Sequence, residues 1–321
     1  MKICSIIVTY NRKELLVRCI KAVIEQTYNV NSIIIIDNAS TDNTYDKICK
    51  EFEVEKLITT NEELIRLKTL ANNCILYYYK SSENMGGAGG FAKGLELADK
   101  MKSFDAFWMM DDDGYPSNNC LEIQLSQLKY YDYVMPVSID IENKEKLSWP
   151  TRLKNKNKTL DYSCLKSSWG KIMNYIYPFN GSLLSKEIVE SVGYINKNLF
   201  IWGDEYEHYW RCKKKGFNPI TTIDAKFYHP ANKMQYIPIL FGLIKVPFSE
   251  SELRMVCLAR NYTYIYWKYD NKFKILLKLI IYTWLYLITR KLDFKGYKIY
   301  LLSVIDGIKG KFDRHKLYLK K

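Results

Sequence analysis

Short apolar runs, many of them β-branched, recur along the first third of the chain, each closed by a polar cluster. Ile3 to Thr9 is one; Val30 to Asp37, containing Ser32-Ile33-Ile34-Ile35-Ile36, is a second. Asn73 to Tyr79 and Asp105 to Met110 are two more. Runs of this length without alternation predict strands buried on both faces. Between them the pattern predicts helices over Arg12 to Gln26 with Asn11 as cap, from beyond Asp42 to about Phe52, and one opened by the run Asn84 to Phe91 and reaching about Met101. Strands alternating with helices predict an α/β fold: a mostly parallel sheet with helices on both faces.

In such sheets ligands gather beyond the carboxyl ends of the strands, and three polar clusters fall there. Asp37 and Asn38 have the groups to hydrogen-bond a base or ribose; the alternative is a polar loop in which Asp42 or Asn43 caps the next helix. The run Asn84-Met85-Gly86-Gly87-Ala88-Gly89-Gly90-Phe91 lets backbone approach a phosphate at a helix N-terminus. It lacks the spacing of the common phosphate-binding fingerprints, and a tight turn against the sheet accounts for it equally well. Asp111, Asp112 and Asp113 follow a buried strand and precede Gly114. Three adjacent acids there need a counter-charge, for which a divalent cation is the usual remedy. In an extended segment Asp111 and Asp113 point together while Asp112 points away. An acidic surface turn is the plainer reading of the triplet in isolation.

Further on, Tyr131 to Val137 reads as a strand and the Lys-rich stretch through Lys158 as a loop. Trp149, Trp169 and the run Tyr177-Pro178-Phe179-Asn180-Gly181 suit either a sugar or the core. Lys186 to Val192 reads as a helix. If the segment at Trp202 and Gly203 opens a helix, Asp204, Glu205 and Glu207 lie near its N-terminus, where anions are stabilised; acids in the first turn are equally common in ordinary helices. A strand follows near Ile220 to Ile223, and His229 before Pro230 is either a metal ligand or a structural histidine.

Taken in order, these segments resemble the family-2 inverting glycosyltransferases of the GT-A fold, over roughly Lys2 to Pro230. The resemblance rests on Ile-Ile-Val-Thr-Tyr-Asn-Arg at 6–12, Ile-Asp-Asn-Ala-Ser-Thr-Asp at 36–42, the glycine run, Asp-Asp-Asp at 111–113, Trp-Gly-Asp-Glu-Tyr-Glu with Arg211, and Tyr-His-Pro at 228–230. The galactofuranosyltransferase branch is the most similar, rhamnosyltransferases next. It implies a Rossmann-like GT-A domain over 1–235, its nucleotide-sugar half ending near 115 and its acceptor half running over 116–235. By the same resemblance Thr9, Asn11, Arg12, Asp37, Asn38, Asn84, Gly86, Gly87, Asp111 and Asp112 line the nucleotide-sugar site. Asp111, Asp113 and His229 hold Mn2+ or Mg2+, and Trp169, Asn180, Gly181 and Trp202 meet the sugar or acceptor. One of Asp204 and Glu205 is the base; counting back from Arg211 favours Glu205, although many relatives have Asp there. The implied reaction moves galactofuranose from UDP-galactofuranose to a glycan acceptor, polyprenyl-diphosphate-linked in the fullest version. A rhamnosyltransferase using dTDP-rhamnose is the alternative within the family, and a catalytically silent nucleotide-sugar or glycan-binding subunit the alternative outside it.

Composition changes the picture mainly in the tail. Of the net charge of +13, 14 lysines and arginines against four aspartates lie from Lys268 onward. This predicts a basic helical region over 236–321. Within it Ile275 to Thr289 is shorter than the ~20 apolar residues of a spanning helix and is interrupted by Lys278. Its basic flanks and its Trp and Tyr suit a helix lying on an anionic membrane surface; a buried helix or a contact between copies is the alternative. The eight cysteines include no Cys-x-x-Cys pair, which fits a reducing compartment. The N-terminus enters a strand at once, without a signal-peptide pattern. The expected place is therefore cytoplasmic, peripheral on the inner face of the cell membrane. The basic tail lacks any nucleic-acid-binding module, so no nucleic-acid partner is expected.

Overall fold

The computed structural model describes residues 1–54, 58–59, 64–174 and 179–319. The chain forms two compact units: Met1–Lys197 with Arg211–Asn232, and Asn198–Trp210 with Lys233–Lys321. Tyr177 and Pro178 of the aromatic run lie outside the described residues.

The first unit is built on the apolar runs. Strands β1 (Ile3–Thr9), β2 (Ser32–Asp37), β5 (Ile75–Lys80) and β6 (Ala106–Asp111) lie parallel in the order β6-β1-β2-β5. Every residue of β1 and β2 is buried, as continuous β-branched runs require. Helices α1 (Lys13–Ile24), α2 (Thr44–Glu51) and α3 (Gly86–Lys100) connect them. Helix α1 turns Leu16, Cys19, Ile20 and Val23 inward at helical spacing. Asn11 does not cap it. Arg12 holds the cap position without a side-chain bond, and Asn11, at φ 54°, accepts instead from Thr41 N at 2.7 Å. Asn43 makes no side-chain cap on α2 either.

Helix α3 lies hard against β1 and β2 because glycines face them. A Cβ at Gly90 would stand 2.6 Å from Val8 Cγ1, and one at Gly94 would stand 2.3 Å from Ile6 Cγ2. Tight packing therefore accounts for part of the glycine run.

Beyond β6 the sheet becomes mixed. Strand β12 (Asn180–Ser185) runs antiparallel between β6 and β8 (Tyr133–Asp140), and β13 (Ile220–His229) lies parallel to β8. Trp108 of β6 is fully buried, and its Nε1 donates to Gly181 O and to Gln124 Oε1, both at 3.0 Å. Gln124, on helix α4 (Cys120–Leu128), also donates to Gly181 O at 2.7 Å and Val134 O at 2.8 Å. These bonds lock α4 to three strands. The two-residue strand β7 (Tyr115–Pro116) pairs antiparallel with β13, Tyr115 opposite Tyr228.

Several boundaries differ from the sequence reading. The Lys-rich stretch is no loop: it contains β9 (Lys146–Arg152) and β10 (Lys158–Asp161), an antiparallel pair. Leu147, Ser148 and Thr151 are buried there while the lysines stay outside. A short antiparallel pair, β3 (Ile58–Thr59) and β4 (Ile65–Thr69), extends the sheet past β5.

In the second unit the run Pro238 to Pro247 is a β-hairpin of β14 (Gln235–Ile239) and β15 (Ile244–Phe248). Helices α8 (Glu252–Lys268), α9 (Phe273–Trp284) and α10 (Phe294–Lys309) follow, α9 ending in a π-helical turn, Leu285–Thr289. The hairpin, the helices and the π turn share a core of Ile239, Val246, Phe248, Tyr282, Tyr286 and Tyr300.

Candidate active site

The parallel register brings the polar ends of the strands level: Thr9 stands opposite Asp37, and Val8 opposite Asp111. Beyond them the chain turns, so the alternation expected through the Asp triplet stops at Asp111. Asp112 and Asp113 both meet Arg12, whose Nη1 lies 3.1 Å from Asp112 Oδ1 and 2.7 Å from Asp113 Oδ2. Thr9 Oγ1 donates to Asp112 Oδ2 at 2.6 Å, and Arg18 Nη2 to the Asp113 carbonyl at 3.0 Å. Part of the counter-charge is thus an arginine in the same unit. Burial of Asp112, 2% exposed, still pushes its carboxyl up to about 6, Arg12 and Thr9 offsetting only part of the desolvation. For Asp113 burial acts in the same direction, but His229 and Arg12 outweigh it and hold the carboxyl below its ordinary range.

His229 Nε2 lies 3.1 Å from Asp113 Oδ1, a buried oxygen with no other partner among the described residues. The other ring nitrogen, Nδ1, lies 2.7 Å from the Pro230 carbonyl oxygen. A carbonyl only accepts, so Nδ1 carries the hydrogen and Nε2 faces the carboxylate. Two lone-pair carriers at that spacing call for a proton or a cation between them. The Trp149 ring lies against that of His229, centroids 4.6 Å apart and planes tilted by 35°. Among the described residues no group of three or more His, Cys, Asp or Glu side chains is arranged around one point, so Asp113 and His229 stand as a pair.

The second cluster lies at the end of β2. Both oxygens of Asp37 are engaged: Oδ1 accepts from Ser40 N at 2.7 Å and Oδ2 from the Tyr78 hydroxyl. Burial and this carboxylate push the Tyr78 hydroxyl far up. Asn38 Nδ2 donates to Gly86 O at 2.9 Å, while its Oδ1 is buried without a hydrogen-bond partner among the described residues. Asn84 Oδ1 accepts from Gly86 N at 2.8 Å, and Gly86 has φ 68°, a conformation that favours glycine. At Gly87 a Cβ would meet nothing within 4 Å among the described residues, which leaves open space over this turn. Ser40, whose Oγ accepts from Asn11 N at 2.9 Å, Thr41, Tyr78 and Arg18 are not among the expected site residues because each bonds to an element distant in sequence.

The residues expected to meet sugar or acceptor are dispersed. Asn180 stands opposite Met110, beside the end of β6; it is 1% exposed, and neither side-chain polar atom has a hydrogen-bond partner among the described residues. Gly181, at φ 77°, gives its carbonyl to Trp108 and Gln124. Trp169 belongs to helix α5 (Tyr162–Trp169), with Nε1 on Arg152 O at 2.9 Å and Lys154 over its ring, in the β9–β10 region.

Trp202, Asp204 and Glu205 belong to the second unit. Asn261 of α8 donates to the carbonyls of Leu199, Ile201 and Trp202 at 2.7–2.9 Å, fixing the loop that enters helix α7 (Asp204–Lys214). Asp204 is 6% exposed, and its carboxyl sits well above the ordinary range because of burial and then of Glu205 beside it. Glu205 is half-buried. Glu207 accepts from the Tyr269 hydroxyl at 2.9 Å.

Residues 4–193 match the family described as Glycosyl transferase family 2. Over 319 residues the chain is 26% identical to galactofuranosyltransferase GlfT1 of Mycolicibacterium smegmatis, covering 97% of this chain and 98% of that protein. The Mycobacterium tuberculosis GlfT1 is 26% identical over 299 residues, 91% of this chain and 90% of that one. Among solved structures, S. aureus TarS 1–349 superposes with TM-score 0.56 at 14% identity, over 98% of this chain and 82% of that one. GalNAc-T7 with UDP, GalNAc and Mn2+ superposes with TM-score 0.54 at 13% identity, over 72% of this chain; the match spans only 44% of the longer protein. These two likenesses speak for the GT-A fold. Since the family match covers more than half the chain, and the polar strand ends cluster where a GT-A sheet collects them, this protein belongs to glycosyl transferase family 2 and is a glycosyltransferase.

Proposed function

We propose that the enzyme is a metal-dependent, inverting galactofuranosyltransferase that uses UDP-galactofuranose and a lipid-linked glycan acceptor. The observation that carries the metal is the pair Asp113 Oδ1 and His229 Nε2, 3.1 Å apart, with the other histidine nitrogen donating to a carbonyl as metal-bound imidazoles do. One nitrogen and a hard carboxylate oxygen suit Mn2+ or Mg2+ that fills its other positions with water and phosphate oxygens; Asp111, expected as a further ligand, does not converge on the pair among the described residues. The two GlfT1 relatives support the donor sugar, and the UDP held by GalNAc-T7 supports the nucleotide.

In this reading Thr9, Asn11, Arg12, Asp37 and Asn38 bind the nucleoside, and the turn at Asn84, Gly86 and Gly87 offers backbone to the diphosphate, with Asp112 anchoring Arg12. When bound, the divalent ion supplies charge neutralisation to the departing diphosphate. Glu205 takes the proton of the acceptor hydroxyl as the hydroxyl oxygen forms a bond to the anomeric carbon. The bond from that carbon to the diphosphate oxygen breaks on the opposite face, and UDP leaves with inversion. Asp204, buried beside it and with its carboxyl raised by burial and by Glu205, keeps the Glu205 carboxylate oriented. Asn180 has unsatisfied polar atoms for a sugar hydroxyl. The enzyme works at the cytoplasmic face of the membrane; among the described residues no helix is long and apolar enough to cross one.

The test is donor hydrolysis with UDP-galactofuranose, UDP-galactopyranose, UDP-glucose and dTDP-rhamnose, in Mn2+, in Mg2+ and in EDTA. Turnover of UDP-galactofuranose that EDTA abolishes is the expected result. Turnover of dTDP-rhamnose alone would move the donor, and EDTA-insensitive turnover would remove the metal.

A further inference from the structure

We infer that the second unit carries a membrane-docking surface, formed by the tip of the β14–β15 hairpin together with the outward face of α9, and that its partner is an anionic phospholipid bilayer. Phe241 and Leu243 at the tip are 98% and 84% exposed. Phe273, Leu276, Leu277 and Ile280 are exposed along α9 at the i, i+3, i+4, i+7 spacing of a single helix face. The opposite face of α9 and its π turn is already spent on the core through Ile275, Tyr282, Leu285 and Tyr286. The exposed stripe is therefore a second apolar face, and the fold has no use for it. The tip joins it: the Phe241 ring lies 6.2 Å from that of Trp284, the last residue of α9.

The charge around the stripe identifies the occupant. Lys245 beside the tip, Lys272 and Lys274 at the start of α9, and Lys291 after the π turn are all exposed. Of these Lys274 is paired with Asp270. A second copy seated on this face would bring the same lysines together, whereas anionic headgroups would neutralise them while the apolar side chains enter the acyl boundary. A bilayer satisfies both features. The surface serves the lipid-linked acceptor proposed above, and to that extent rests on that reading, but its chemistry does not depend on it.

The experiment is flotation of the full chain with vesicles of 30% phosphatidylglycerol in phosphatidylcholine, against pure phosphatidylcholine vesicles. Binding to the anionic vesicles that weakens in high salt is expected. The pair Phe241→Asp and Leu243→Asp should lower the bound fraction about tenfold or more, with an unchanged melting curve because both side chains stand in solvent. Leu277→Glu on α9 should act in the same direction. Absence of flotation, or flotation untouched by both variants, overturns the inference; so does sedimentation as a dimer that the tip variants convert to monomer. UDP-galactofuranose hydrolysis on the same samples separates the two proposals. Hydrolysis without flotation ends this one alone, and flotation without hydrolysis ends the donor assignment alone.

Discussion

Gly94→Ala tests how α3 is seated. The added Cβ would stand 2.3 Å from Ile6 Cγ2 and 3.2 Å from Ile36 Cγ1, both fully buried in central strands. Replacing a mid-helix glycine by alanine gains about 0.8–1 kcal/mol of helix propensity. Against that, overpacking a filled core costs about 1–3 kcal/mol. The upper part of that range applies, because a β-branched methyl has no free rotamer to swing into. The net is a loss of about 1–2 kcal/mol, or about 2–8 °C in Tm for a domain of this size, readable by urea or thermal melts. The contact also specifies its own rescue. Ile6→Val removes only Cδ1 and keeps the offending branch, so it should not relieve Gly94→Ala. Ile6→Ala, itself costing about 2–5 kcal/mol, removes that branch, so the double variant should be more stable than Ile6→Ala alone. A Gly94→Ala protein as stable as wild type, or one rescued by Ile6→Val, refutes close packing as the reason for glycine at this position.

Gly87→Ala makes the opposite forecast: with nothing within 4 Å of its Cβ, stability holds or rises by about 0.5 kcal/mol, while UDP affinity measured by calorimetry falls severalfold if diphosphate approaches that turn. Glu205→Gln should lower kcat by about 10²–10⁴ and leave donor binding intact; a kcat within a fewfold of wild type would exclude it as the base. Asp204 has a raised carboxyl pKa when folded, so the stability its proton contributes is complete below the ordinary carboxylate range and is lost as pH rises through the raised value. Asp204→Asn cannot ionise. Its stability relative to wild type should therefore improve as pH rises above the ordinary carboxylate range, by about 1.4 kcal/mol for each pH unit until the raised value is reached, and a pH-independent difference in thermal melts would contradict the burial argument.

The chain disclosed its central sheet because β1, β2 and β6 are buried on both faces, and a short, unbroken β-branched run suits a central strand better than a helix or a surface segment. Its flanks were less legible. β9 and β10 carry their lysines on the solvent side, so a count of charges reads as a loop what alternation assigns to an edge. β12 begins with Asn-Gly and holds Ser182 and Ser185, residues that suggest a turn until Trp108 and Gln124 are known to bind its backbone. In the candidate site the residue types were visible but not their pairing. Arg12 and the acids are about a hundred residues apart in sequence, and nothing local forecasts that Arg12 would supply part of the neutralisation expected of a metal. The alternation rule failed at Asp112 because the strand had already ended.

The two-residue pairing of β7 with β13 has a consequence for how this chain can vary. Tyr115 opposite Tyr228 sits two residues after Asp113 and one before His229, and Gly114 leaves no room there: a Cβ would fall 2.2 Å from Phe227 Cε1 and 2.7 Å from Tyr228 O. The spacing of carboxylate and imidazole is thus set by a short ladder rather than by the 115 residues that intervene in the chain. Loops such as those joining β9 to β10 can lengthen or shorten without moving the pair. A single insertion between Asp113 and Tyr115, or between Tyr228 and His229, would slip the ladder by one and turn one partner to the other face of the sheet. Across natural variation, length should drift freely in the first group of segments and stay fixed in the second.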